Sequence, residues 1–117
     1  MKAKELRLNN WVKYLTSGDV CLKTKESLFN VLNDLDSNYP LTKPIPLTEE
    51  WLVKFGFEIA LNGYWNKKED FMVELHNEGI EIIVDAERIR LFHITYVHQL
   101  QNLYFALTGE ELNIQHI

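Results

Sequence analysis

A single cysteine, Cys21, stands among the 117 residues, so no internal disulfide can form and the framework of a small secreted, disulfide-stapled domain is excluded. Beside Val20 and Leu22, that lone thiol reads as a small core residue rather than a nucleophile. The five glycines are isolated turn formers: none is grouped into a phosphate-cradling loop, and none frames a serine as G-x-S-x-G. No apolar run reaches membrane-spanning length without Gln, Asn or His interrupting it, and residues 1–10 lack the apolar centre of a signal peptide. A cytoplasmic protein without membrane contact is expected. Basic charge is also in short supply, with 12 Lys and Arg against 17 Asp and Glu, a net charge of -5. Phosphate contacts supply much of the affinity of nucleic-acid binders, which therefore show a basic face. The nearest approach here is Lys23-Thr24-Lys25, with Lys13 and Lys43 in the same half. A solvated surface is the better reading of these lysines, and nucleic acid is disfavoured as a partner.

What remains is enough to fold. A hydrophobic content of 46% with 12% aromatics can build a packed core, and the 25% charged residues match the globular average. One compact unit over residues 1–117 is expected. The prolines of Pro40-Leu41-Thr42-Lys43-Pro44-Ile45-Pro46 demand extended backbone, so residues 40–46 read as a connector between an N-terminal segment, 1–43, and a C-terminal segment, 47–117. The N-terminal segment reads as short strands. Leu6 and Leu8 are separated from Trp11-Val12-Lys13-Tyr14 by the turn-prone Asn9-Asn10, and Val20-Cys21-Leu22 follows the turn Ser17-Gly18-Asp19. Residues 27–35 fit either a helix, through Leu28, Val31, Leu32 and Leu35, or a short strand; the strand suits neighbours that look like a small barrel.

The C-terminal segment is more legible. Thr48 is placed to cap a helix with Glu49 and Glu50 in its first turn, Trp51, Leu52 and Phe55 on its apolar stripe, and Gly56 at its end. Asn62-Gly63 is a strong hairpin signal. Phe71, Val73 and Leu75 alternate with Met72, Glu74 and His76. After Asn77-Glu78-Gly79, Ile80, Ile82 and Val84 alternate again, followed by Ile89 and Leu91 alternating with Arg88 and Arg90. Such short half-polar strands make an antiparallel meander with one buried face. Thr95 can cap a last helix carrying Val97, Leu100, Leu103, Tyr104 and Leu107 on one stripe, and Leu112 and Ile114 can add a terminal strand. The fold class expected is α+β: a small β-rich N-terminal segment, then helix, antiparallel meander and C-terminal helix.

Two strings, Pro44-Ile45-Pro46-Leu47-Thr48-Glu49-Glu50-Trp51-Leu52 with Phe55-Gly56-Phe57-Glu58, and the run from Tyr96-Val97-His98-Gln99 through Leu107-Thr108-Gly109-Glu110-Glu111-Leu112, resemble a group of small uncharacterised proteins. These come from Bacteroides-type gut bacteria and their phages or mobile elements. The opening Glu5-Leu6-Arg7-Leu8-Asn9-Asn10-Trp11-Val12 is similar too, with Asn9 where the group usually has Gly. If that position needs a positive φ, Asn is the most tolerable substitute. The resemblance implies an accessory role in mobile-element biology and an SH3-like barrel in the N-terminal segment. It brings no established activity.

Chemistry-bearing clusters are sparse. Glu74 and His76, two apart on a strand, share a face and can approach one cation, but an ordinary solvent face accounts for them and no supporting ligand pair is evident. His93 and His98 are five apart, which matches no helical ligand pair; a strand end and a helix surface suffice for them. Trp11, Trp51 and Trp65 invite a stacking role, with Trp11 and Tyr14 on an open barrel face, yet core packing explains them better. No catalytic, cofactor-binding or metal residue is assigned, and no cofactor is expected. The clearest anomaly is the stretch 91–109, which contains no Asp, Glu, Lys or Arg. The back of its helix carries His98, Gln99, Gln101, Asn102 and Phe105, where a surface helix normally shows Lys and Glu. Amides escape the desolvation cost of full charges, so this face suits contact with protein. It is either covered within the chain or a surface for self-association or a protein partner. The function expected is a non-enzymatic protein-interaction or accessory module. The alternatives are a nucleic-acid-associated module using the N-terminal barrel, and an enzyme assembled from scattered residues.

Overall fold

In the computed structural model, which describes residues 6–14, 20–23, 32, 34–35, 42–60, 63–68, 71–84 and 86–114, the chain is α+β. In chain order its elements are β1 (Trp11–Tyr14), β2 (Val20–Lys23), β3 (Thr42–Lys43), α1 (Glu49–Lys54), β4 (Glu58–Ile59), β5 (Trp65–Lys68), β6 (Phe71–His76), β7 (Gly79–Val84), β8 (Glu87–Leu91) and α2 (Val97–Thr108). No helix among the described residues is long and apolar enough to cross a membrane.

The division of the chain differs from the expected single unit with its segments 1–43 and 47–117. Two units form, one from Met1–Pro46 with Tyr96–Leu112, the other from Leu47–Thr95 with Asn113–Ile117. The closing helix thus belongs with the N-terminal segment and not with the meander. The physical reason is its hydrogen bonding and packing: α2 packs on β1, the Val97 N–H donates to the Ile45 carbonyl (2.8 Å), and Tyr96 bridges Pro46.

In the first unit the strand order is β2-β1-β3, all antiparallel, with Val12 opposite Leu22 and Lys13 opposite Lys43. Among the described residues the N-terminal segment contributes this one three-stranded sheet; the SH3-like barrel is not seen in it. Leu32, Asp34 and Leu35, the described residues of 27–35, are helical, against the strand expectation. Leu32 and Leu35, one helical turn apart, pack on Leu6 and Val12, and Asp34 accepts the Thr42 N–H at 2.7 Å; a strand would send Leu32 and Leu35 to opposite faces. The core also holds Ile45, Val97, Leu100, Tyr104 and Leu112. Asn9 has φ 70°, the left-handed conformation for which Asn is the tolerable alternative to Gly. The α2 N-cap is Tyr96, one residue later than Thr95, because the Gln99 side chain turns back to accept the Tyr96 N–H (3.1 Å). Leu112 is buried, but residues 110–114 do not form the expected terminal strand.

The second unit is a five-stranded antiparallel meander in sequential order, β4 to β8, with α1. Thr48 occupies the α1 N-cap, Glu49 and Glu50 the first turn, and the Lys67 ammonium donates to the Phe55 carbonyl at the helix C-cap (2.7 Å), each charge matching the helix dipole. Phe71 opposite Val84, Val73 opposite Ile82 and Leu75 opposite Ile80 line one face of β6 and β7. Phe71, Val73, Ile80 and Ile82 are buried, along with Trp51, Leu52, Phe55, Phe57, Trp65 and Ile94, so the tryptophans Trp51 and Trp65 are core residues. Each such side chain contributes roughly 1.5–3 kcal/mol. Period-two alternation then directs Met72, Glu74 and His76 to the opposite face.

Candidate functional site

The face predicted for a partner is largely spent inside the first unit. Gln101 is fully buried: its Oε1 accepts the Trp11 N–H (2.8 Å), and its Nε2 donates to the Asn9 carbonyl (2.7 Å) and, more weakly, to that of Leu112 (3.5 Å). Asn102 Oδ1 accepts both the Arg7 Nε–H (2.8 Å) and the Asn10 Nδ2–H (2.8 Å). Arg7 also donates from Nη1 to Glu111 at 2.9 Å and lies over the Phe105 ring at 4.5 Å. Gln99 is engaged in the N-cap, and His98, expected on the helix surface, is buried and stacked on Tyr96 at 6.1 Å between ring centres. His98 and Gln101 are thus buried within the first unit, and the half-buried Gln99 and Asn102 are hydrogen-bonded there. The Gln101 amide supplies the partners of the Trp11 N–H, at the start of β1, and of the Asn9 carbonyl just before it, backbone groups that need a bond where they are removed from water. Of the five predicted residues only Phe105 is exposed, at 40%, followed by Ala106 and by Leu107 at 46%. Residues 7–11 and the segment from Gln101 to Leu112 are the two halves of this one hydrogen-bonded network.

The second cluster lies on the meander. Glu74 and His76, two apart on β6, share a face, and the register sets Glu81 of β7 directly opposite Glu74. His76 Nε2 stands 3.3 Å from Glu74 Oε1 and 3.5 Å from Glu81 Oε2, with side-chain exposures of 23%, 35% and 15% for His76, Glu74 and Glu81. This is not the open solvent face expected for the pair. One carboxylate or imidazole atom from each residue falls within 4.8 Å of the other two. Around Glu81, the Tyr64 hydroxyl donates to Oε2 at 3.4 Å and Arg88 Nε lies 3.4 Å from Oε1. Burial holds the Tyr64 phenol above its ordinary 10.0; Arg88 opposes that shift, and Glu81 and Glu74 add to it.

Sequence reasoning found Glu74 and His76 but missed Glu81, Tyr64 and Arg88. The signal lay in the loop length. With His76 paired to Gly79, only Asn77 and Glu78 lie in the turn, and a two-residue connection places residue 81 across from residue 74. Gly79 makes that turn workable: its φ is +116°, and an added Cβ would overlap the Leu91 carbonyl oxygen of β8. His93 is exposed beyond the end of β8 and joins no cluster among the described residues. A cavity of about 110 Å³ opens at the same end of the hairpin, lined by residues including Leu75, Ile80, Ile94 and His76, the one ionisable lining residue among those described.

These features define the class: a small α+β protein with a hydrogen-bonded amide network in one unit and a Glu-His-Glu cluster on the outer face of a meander in the other. No known protein family, no curated protein and no solved structure matches the chain.

Proposed function

We propose that this chain is a non-enzymatic protein-interaction module, acting in the cytoplasm as an accessory factor of a bacterial mobile element or phage, and that α2 is its contact element. The observation supporting this reading is the exposure of Phe105, Ala106 and Leu107 at the end of a helix that carries no charged residue. A second copy is the partner that fits best. Two chains of net charge -5 repel one another over most approaches, and a charge-free helix offers a surface on which they meet without that penalty.

Light scattering across a concentration series, with a chelator present, tests it. The wild type is expected to rise from 13.8 kDa towards twice that mass, while Leu107→Glu stays monomeric with an unchanged melting temperature. A wild type that remains monomeric at every concentration overturns self-association. Salt-sensitive retention on DNA or RNA in place of self-association would move the assignment to a nucleic-acid module.

A further inference from the structure

We infer that Glu74, His76 and Glu81 form a binding site for one first-row divalent cation of the Zn²⁺ type. This is independent of the contact role of α2. The fold builds the site in two steps. Strand periodicity puts Glu74 and His76 on one face of β6, and the two-residue turn at 77–78 brings Glu81 opposite Glu74 on β7. Two carboxylates directly across a strand pair repel one another, an arrangement that a shared cation turns from a cost into a binding determinant.

The distances separate the cation from the simpler alternative, an imidazolium bonded to its carboxylates. Charge-assisted N–H···O⁻ bonds run at about 2.7–2.9 Å. Here the separations are 3.3 and 3.5 Å, and His76 Nε2, although buried, is hydrogen-bonded to neither carboxylate. Two donor atoms each roughly 2.0–2.1 Å from a tetrahedral metal are roughly 3.3–3.4 Å apart, which is the spacing found. The widest ligand pair lies within 4.8 Å, so closing the set requires a carboxylate shift of at most about 1.5 Å. An imidazole nitrogen with two carboxylate oxygens selects transition-series ions over Mg²⁺ and Ca²⁺, which take oxygen ligands. Tyr64 and Arg88, both on Glu81, act as the outer supports that orient a metal-binding carboxylate. Three protein ligands leave a fourth position for water or a donor from a partner.

Titration of the metal-free full chain with ZnCl₂ by calorimetry tests the site. One equivalent is expected to bind to the wild type. Glu81→Gln and His76→Gln are each expected to weaken binding by at least about tenfold, or about 1.4 kcal/mol. His93→Gln, altering an exposed histidine outside the cluster, and Leu107→Glu, altering the proposed contact helix, are expected to bind like the wild type. Co²⁺ in place of Zn²⁺ is expected to give the intense visible absorption of a tetrahedral site, lost in Glu81→Gln. Glu74→Gln provides a second carboxylate variant that removes like-charge repulsion and so keeps the fold. No stoichiometric binding, or binding equal in wild type, Glu81→Gln and Glu74→Gln, overturns the assignment.

Discussion

Gln101 is the residue on which the first unit's polar interior turns. Its amide oxygen satisfies the Trp11 N–H and its amide nitrogen the Asn9 carbonyl, so both ends of one side chain are used. In Gln101→Glu a carboxylate oxygen replaces the nitrogen that faces the Asn9 carbonyl, leaving a buried charge against an acceptor. An unmet buried polar group costs about 1–3 kcal/mol, and more when charged. Gln101→Glu is therefore expected to lose about 3 kcal/mol or more in denaturant melts, whatever the oligomeric state. Arg7 is equally specific: it is bidentate on Glu111, bonded to Asn102 and stacked on Phe105. A lysine has neither the planar fork nor the stacking face. Arg7→Lys is expected to cost about 1–2 kcal/mol in the same assay. Tyr64 sets a pH dependence. Folding raises its pKa above 10.0, so the native chain keeps the phenolic proton to higher pH than the unfolded chain does. The stability tied to this proton is intact below about pH 10 and drains away as pH rises through the folded value. Tyr64→Phe is expected to flatten the alkaline fall in stability measured between about pH 9 and pH 11.

At the scale of elements, the meander was readable because alternation is a strong signal. Phe71, Val73, Ile80 and Ile82 each sit on the apolar beat of their strands and are each buried. The segment 27–35 was not readable, since helix and strand both fit its leucines; packing of Leu32 and Leu35 on Leu6 and Val12 decides for the helix, and that contact is long-range. The same holds for the amides of α2. Their composition marked them as unusual, but their partners, Asn9, Asn10 and Trp11, lie some ninety residues away. The cation cluster was half readable, because face-sharing on one strand is local while the strand opposite depends on the register of a turn. Two glycines, one in the β4–β5 connection and one after this turn, give a sharp contrast. Gly63, φ +86°, has no atom near the position of an added Cβ, so Gly63→Ala meets only the left-handed backbone cost, about 1–2 kcal/mol. Gly79→Ala meets that cost and also an overlap with the backbone of Leu91 and Phe92. It is expected to lose about 3 kcal/mol or more and to disturb the β7–β8 pairing, visible as faster amide exchange in residues 87–91.

For the whole molecule, the discontinuous first unit has a consequence for truncation. A chain ending at Thr95 keeps the described core of the second unit, from Trp51 to Ile94, intact. The same cut strips the first unit of Val97, Leu100, Tyr104 and Leu112, all buried to 1% exposure or less. At roughly 1.5–3 kcal/mol for each side chain, that loss matches the entire stability of a small domain, about 5–15 kcal/mol. It also leaves the backbone groups of Asn9 and Trp11 without Gln101, and Arg7 without Asn102 and Glu111. Amide hydrogen exchange on the 1–95 chain is expected to show β6 and β7 still protected and β1 exchanging as an unfolded segment does. Protection lost throughout residues 71–84 would mean that the meander draws its stability from the closing helix. Protection kept in residues 11–14 would mean that the strands of the first unit hold together without it. The division into two units predicts neither.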